Sequence, residues 1–451
     1  MSSNVPAGTL LGHPKGLFLL FATEMWERFS YYGMRALLVL TLIASTSSAN
    51  PGFGWTEVEA LSLYGTFTGL CYLTPLFGGW IADNFLGQRK SIILGGLIMA
   101  AGQFTLSAAV PGNEQLFKVG LGLLIVGNGF FKPNISTMVG DLYRPGDARR
   151  DAAFTIFYMG INVGAFMAPL ICSTLGESAD WGWKYGYMSA GIGMLISVVT
   201  QLLLAQRLLS DVGKEPGAKR ALAASGGKKE PLTQVEWDRM RVVFVLFVFI
   251  VVFWTAFEQA GGLLNIYASQ KTDRFIGSFE VPAGWFQAVN SFFIVLLGPV
   301  FAMIWSRMGR AGRNPSTPTK MILGLVFTAL GFMFMVGASL EQSAHGKAGM
   351  HWLVLAYMLH TMGELCISPV GLSMVTKLAP LRLASLMMGV WFLINAVANK
   401  LAGVVGAYAK HAGDLAIFGG LTVFLLIFGA GLWAISGKLV NWTHGAEDTK
   451  A

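Results

Sequence analysis

Charge is what this chain of 451 residues has little of: 12% Asp, Glu, Lys and Arg, against about 25% in an ordinary soluble domain. With 54% hydrophobic residues and a mean hydropathy of +0.58, that shortage excludes a disordered chain and a water-soluble globule. Cysteine is scarce as well. Cys71, Cys172 and Cys366 stand singly in apolar stretches, which excludes a disulfide framework and a cysteine-based metal site. The six histidines form no HxxxH or comparable cluster, so no metal is expected. The net charge of +8 is not gathered on a basic, aromatic-interleaved surface, which argues against nucleic acid as a partner. A nucleophile–base set is missing too, so an enzyme and a resident cofactor are not expected.

Long apolar runs are what the chain does have. Scanning for stretches of about 20 residues predicts twelve membrane spans, at 16–43, 56–83, 90–110, 116–140, 151–174, 184–206, 240–268, 283–306, 319–339, 350–377, 384–408 and 414–436. The fold class is therefore an all-α membrane protein. The longest hydrophilic stretch, 207–238, is rich in Gly, Ala and Lys and reads as a flexible linker. It divides the chain into a six-helix bundle at 1–206 and a second at 239–451 with a tail. Placing the N-terminus inside puts twenty-two Lys and Arg residues on that side and six on the other. This positive-inside bias predicts cytoplasmic termini, and a plasma (bacterial inner) membrane is the expected location. The first run carries charges in its middle and no small-residue cleavage site, so it is expected to be a retained span rather than a signal peptide.

Between spans two and three, Gly79, Asp83, Gly87, Arg89 and Lys90 resemble the G-x-x-x-D-x-x-x-G-[RK]-x-[RK] loop of the major facilitator superfamily, with the final basic residues compressed. An acidic residue at a helix end facing cytoplasmic arginines can form a contact that changes between conformations.

The most informative segment is Glu24-Met25-Trp26-Glu27-Arg28-Phe29-Ser30-Tyr31-Tyr32-Gly33-Met34-Arg35. At about 100° per residue, Glu24, Glu27, Arg28, Tyr31 and Arg35 share one helix face. Each charge at bilayer depth costs at least about 2.5 kcal/mol, so the stripe must face water or opposite charges. Lys132 in span four, Glu258 in span seven, Glu364 in span ten and Lys400 in span eleven complete four acids against four bases. Such a balance fits a compensating network, and it fits a zwitterion whose amine meets a carboxylate and whose carboxylate meets Arg or Lys. Tyr72, Asn162 and Asn290 can hydrogen-bond a peptide-like backbone, or serve as interhelical bonds worth about 0.6 kcal/mol each. Trp391 and Phe392 can wall a side-chain pocket. Prolines at 75, 133, 169, 299 and 369 break span hydrogen bonding and permit bends, and Gly65-x-x-x-Gly69 allows close helix approach.

Three motifs resemble the proton-dependent oligopeptide transporter family: Glu24-x-x-Glu27-Arg28-Phe29-x-Tyr31-Tyr32-Gly33, Phe154-x-x-Phe157-Tyr158-x-x-Ile161-Asn162-x-Gly164, and the block from Gly363 to Ser373 around Glu364 and Pro369. Trp285 to Asn290 and Trp391 to Leu393 agree too. The resemblance implies the major facilitator fold and uptake of di- and tripeptides driven by inward proton flow. The chain is expected to function as a monomer. Carried over by position, Arg28 and Lys132 hold the peptide carboxylate, with Tyr32 and Tyr72 nearby. Glu364, Asn162 and Asn290 hold the amino terminus. Arg35, Glu258 and Trp391 complete the substrate site. Glu24, Glu27, Glu258 and Glu364 carry proton coupling, and Arg35 with Glu258 and Lys132 with Glu364 form bridges between the halves.

The chain departs from the family pattern in three places. The stretch 207–238 is too short for the two extra helices of many bacterial members. Gly65 stands where animal members place a proton-handling histidine, and Lys400 is an additional charge, expected either to snorkel outward or to pair with a cavity carboxylate. A mechanism follows from the residue types. A carboxylate stays ionised beside a cation and takes a proton once a substrate captures that cation. The competing expectation is the same fold moving another small solute, such as nitrate or an amino-acid conjugate.

Overall fold

The computed structural model describes residues 8–144, 147, 149–216, 232–380 and 383–445. Helices dominate because bilayer hydrocarbon offers no partner for backbone N–H and C=O groups. They run as α1 (Lys15–Ile43), α2 (Glu57–Ile81), α3 (Gln88–Ala109), α4 (Glu114–Asp141), α5 (Arg149–Gly176), α6 (Trp183–Leu208), α7 (Gln234–Phe257), α8 (Leu263–Lys271), α9 (Phe286–Arg310), α10 (Thr317–His345), α11 (Met350–Leu378), α12 (Ala384–Ala412) and α13 (Asp414–Trp442). A π turn, Ala82–Leu86, prolongs α2. One 3₁₀ turn, Glu258–Gly261, joins α7 to α8, and another, Ala283–Trp285, leads into α9. Counting α7 to α8 as one segment, twelve long helical segments among the described residues match the twelve predicted spans. Several, such as α7–α8, α10 and α13, extend up to six residues past the predicted limits, because a helix does not stop where its sequence turns polar. The strands are two-residue pairs outside the long helices: β1 (Thr9–Leu10) with β2 (His13–Pro14), β3 (Thr272–Asp273) with β6 (Ala348–Gly349), and β4 (Phe275–Ile276) with β5 (Phe279–Glu280).

Nine helical segments among the described residues are long and apolar enough to cross a membrane. Helix α1 is not one of them, because its middle carries Glu24, Glu27, Arg28 and Arg35. Large apolar side chains stand exposed on the long helices, among them Leu203 at 72%, Trp433 at 72% and Ile427 at 63%. A water-soluble surface would not tolerate such a density; lipid chains cover it at no cost.

The described chain gathers into two compact units. The first holds residues 1–56, 70–227 and 282–291; the second holds 57–69, 228–281 and 292–451. In the first, α3 packs on α4, and α1 packs on both α5 and α6. In the second, α10 packs on α11 and α13, and α12 packs on α7. Helix α2 contributes its first part, 57–69, to the second unit and the remainder to the first.

The in-helix prolines leave continuous helices rather than breaks. Pro75 cannot donate to the carbonyl four residues back, Cys71 O. Asn128 of α4 supplies the missing donor, with Nδ2 at 2.6 Å from Cys71 O. Thr74 Oγ1 also donates to Ile125 O at 2.9 Å. Asn128→Ala should therefore cost about 1–3 kcal/mol by leaving a buried carbonyl unsatisfied. In a Pro75→Ala background, where the new residue restores the backbone N–H, the same change should cost much less. Thermal unfolding of the four proteins of this cycle checks it, and equal costs in both backgrounds would refute the assignment.

Both described ends of the linker are held by hydrogen bonds. Helix α7 begins at Gln234, inside the predicted 207–238 stretch, because Thr233 and Glu236 form a reciprocal capping box. At the other end Arg89 of α3 donates to Val212 O and Ser210 O, each at 2.6 Å. Residues 217–231, Arg382 and Lys450 lie outside the described residues. In the α4–α5 connection, Asp147 accepts from Arg149 Nη2 at 2.7 Å and from its backbone N–H at 3.0 Å. These hydrogen bonds pull the Asp147 carboxyl down to about 2. What this contact adds to stability is present above the ordinary Asp value and is lost as pH falls through about 2.

Candidate functional site

In the first unit the acid–base stripe of α1 is buried, as its helical spacing requires. Glu24, Glu27, Arg28 and Arg35 are 4%, 0%, 6% and 8% exposed. Arg28 grips Glu27 with both fork nitrogens: Nη2 donates to Oε1 at 2.7 Å and Nε donates to Oε2. Arg28 Nε also lies 3.2 Å from Glu24 Oε1, one turn earlier. The second Glu24 oxygen, Oε2, is buried with no hydrogen-bond partner among the described residues. The Arg28 guanidinium sits 5.3 Å from the Tyr31 ring centroid and that of Arg35 sits 5.6 Å from Tyr32.

Lys132 of α4, half-buried, places Nζ 3.7 Å from the Tyr72 ring centroid, within electrostatic reach of Glu24, Glu27 and Arg28. This lysine stands one residue before Pro133, inside a continuous helix. Helix α5 reaches the stripe through Gly164, where an added methyl would overlap Met25 O and stand 3.1 Å from the Arg28 Cβ. The glycine of the Asn162-x-Gly164 motif is thus a close-approach residue. Asn162 is buried, and its Nδ2 donates to Tyr158 O at 2.9 Å, on its own helix. Asn290, in the short piece 282–291, is half-buried.

In the second unit the two predicted carboxylates are also buried, Glu258 at 6% and Glu364 at 9%. Glu258 opens the 3₁₀ turn that interrupts the α7–α8 segment, so an acidic side chain and an irregular backbone coincide. Tyr357 of α11 fastens this turn by donating to Ala260 O at 3.2 Å. Glu364 lies seven residues further along α11, about two turns, hence on nearly the same face. Trp391 is half-buried and packs against Phe247, ring centroids 6.3 Å apart.

Lys400 takes the first of its two expected courses only in part. It is exposed on α12, and its Nζ donates at 2.7 Å to the Thr66 hydroxyl, not to a carboxylate. The contact is possible because Gly65 and Gly403 let α2 and α12 meet: a methyl on Gly65 would lie 2.6 Å from the Gly403 Cα. Asp83, expected to face arginines across its loop, is exposed and makes no ion pair among the described residues, while Arg89 holds the linker carbonyls instead. Gln259 went unpredicted. It is 1% exposed and donates Nε2 to Thr255 O and Ala402 O, each at 3.0 Å, which ties the turn beside Glu258 to α12. A glutamine in the middle of an apolar span was the signal available for it.

Charge buried and compensated within a bundle of long apolar helices, as in the Arg28–Glu27–Glu24 cluster, fits a multi-pass membrane transporter. The sequence pattern of the POT family matches residues 89–215 and 217–414, and this chain belongs to that family. It is 35% identical to the peptide transporter YePEPT of Yersinia enterocolitica, over 91% of each chain. It is also 35% identical to a di-/tripeptide transporter of Lactococcus lactis subsp. cremoris, over 96% of this chain and 97% of the relative. A crystal structure of peptide transporter POT in complex with sulfate superposes with a TM-score of 0.88 at 34% identity, covering 98% of both chains. The fold is that of the major facilitator superfamily.

Proposed function

We propose that this protein imports di- and tripeptides together with protons across the plasma membrane by alternating access, as a monomer with cytoplasmic termini. One observation carries the reading. Midway along its helices the first unit holds three cations, Arg28, Arg35 and Lys132, against two carboxylates, Glu24 and Glu27, whereas the second buries the carboxylates Glu258 and Glu364, its third buried acid, Asp238, lying near the start of α7. A peptide carries a carboxylate at one end and an ammonium at the other, and the two sets are complementary to those charges.

In this mechanism Arg28 and Lys132 take the peptide carboxylate, flanked by Tyr32 and Tyr72. Glu364, Asn162 and Asn290 take the amino terminus, and Trp391 bounds the side-chain space. The Arg28 fork is spent on Glu27 and Glu24 before substrate arrives, so a peptide carboxylate competes for it. A carboxylate that loses its cation accepts a proton more readily, and Glu24 and Glu27 couple proton entry to binding in this way. Arg35 with Glu258 and Lys132 with Glu364 form bridges that break and re-form as the protein alternates.

The test is purified protein in liposomes with an alkaline interior and labelled dialanine outside. Accumulation above equilibrium that collapses with a protonophore is the expected outcome. Absence of uptake under a working gradient would refute the substrate assignment, and nitrate and modified amino acids would be assayed next.

A further inference from the structure

A carboxylate that the proposed mechanism does not use stands at the end of α5. Glu177, the residue after α5, accepts two backbone hydrogen bonds from far along the chain: Ala283 N to Oε2 at 2.7 Å and Gly284 N to Oε1 at 2.8 Å. These amides open the helical stretch that becomes α9, and no residue within it accepts from them. One turn before the end of α5, Thr174 Oγ1 accepts from Trp285 Nε1 at 3.0 Å. Between these contacts Gly284 lies directly on Ser173. A methyl on Gly284 would overlap Ser173 Oγ, which is buried and has no hydrogen-bond partner among the described residues.

The approach to this contact is stiff. Arg274 pairs with Glu280 at 2.7 Å and donates to Val281 O, and Val281 N donates back to Arg274 O at 2.9 Å. Pro282 follows, with its φ fixed near −56°.

A helix start is ordinarily capped by the residue just before it, and such a cap stays with its helix whatever else moves. Here the cap comes from 106 residues earlier, so it exists only while the end of α5 and the start of α9 are together. Both members are groups that water can satisfy: a carboxylate, and amides at a helix N-terminus whose partial positive charge favours an anion. Parting therefore exchanges these hydrogen bonds for hydration.

We propose that Glu177 and the Ala283–Gly284 amides form a reversible clasp, which covers Ser173 and must open once in each transport cycle. Glu177 is then a gating residue, distinct from the substrate and proton residues. This inference rests on the alternating-access reading above.

Two arms test it. In the first, Ser173→Cys reports opening, since this position is covered while the clasp is shut. Its labelling by a membrane-impermeant maleimide should run about tenfold faster when Glu177→Gln is added, the factor for weakening one charge-assisted bond. Equal rates would overturn the proposal. In the second, Ser173→Cys with Gly284→Cys crosslinks the clasp. An ideal Gly284 Cβ lies 2.9 Å from the Ser173 Cβ, so a shift of under about 1 Å reaches disulfide range. The oxidised protein should lose dialanine uptake and the reduced protein should regain it. Uptake by the oxidised protein at the reduced rate would overturn the clasp. A reduced protein that takes up no peptide speaks against the substrate reading instead, and the labelling arm still decides the clasp. Should Ser173→Cys chains fail to fold, hydrogen exchange of the peptide spanning 282–288 replaces them. It should accelerate in Glu177→Gln, and unchanged exchange would overturn the proposal.

Discussion

Replacing Arg28 by Ala should reduce peptide uptake by about 100-fold or more and destabilise the protein by about 3–5 kcal/mol. The stability loss arises because Glu24 and Glu27 are nearly inaccessible and Arg28 bonds both of them; removing one member of a buried ion cluster strands the others. The transport loss follows from the missing fork. Bonds between charged groups contribute about 1.5–3 kcal/mol each, and about 2.7 kcal/mol is a hundredfold in affinity. Arg28→Lys separates the two effects: it keeps the charge, so stability should largely return, while the lost bidentate geometry should keep uptake low. A Glu27→Gln, Arg28→Gln protein should be more stable than Arg28→Ala, because fewer charges are stranded, yet equally inactive. Thermal unfolding in detergent and liposome uptake measure the two quantities. Full uptake by Arg28→Ala would remove Arg28 from the carboxylate site.

Glu258→Gln should abolish proton-driven accumulation while leaving exchange of labelled for unlabelled peptide across the membrane. Glutamine fills the same space at the turn joining α7 to α8 and can still hydrogen-bond, so the turn fastened by Tyr357 and Gln259 should survive. What it cannot do is change charge. Exchange needs binding and alternation but no net proton movement, whereas accumulation needs the proton cycle. Both assays on the same liposomes distinguish the outcomes, and a Glu258→Gln protein that still concentrates dialanine would take Glu258 out of the coupling set.

The architecture was legible in the sequence because bilayer insertion is written in one dimension. Apolar length gives the spans, and a 100° period gathers the stripe of α1. Intramembrane ionisable residues announce themselves by cost, so Glu258 and Glu364 could be singled out before their burial was known. Partnerships between segments are another matter. Lys400 meets Thr66 because Gly65 and Gly403 let their helices touch, and nothing in either local sequence names the other glycine as its partner. Arg89 spends its guanidinium on the linker backbone, although its motif suggested an acidic partner. Glu177 carried no motif to single it out, and its partners, being backbone amides, have no side-chain signature at all.

The bond between Asn128 and the carbonyl released by Pro75 has a consequence for how this chain can drift. Neither residue has a reason to be kept alone: the proline opens a donor deficit, and the asparagine is useful only while that deficit persists. Among descendants of this sequence, loss of the proline should relax the constraint on position 128, and loss of the asparagine should be purged unless position 75 has changed first. Substitutions at these two sites, 53 positions apart along the chain, should therefore be acquired in a preferred order, the proline's first.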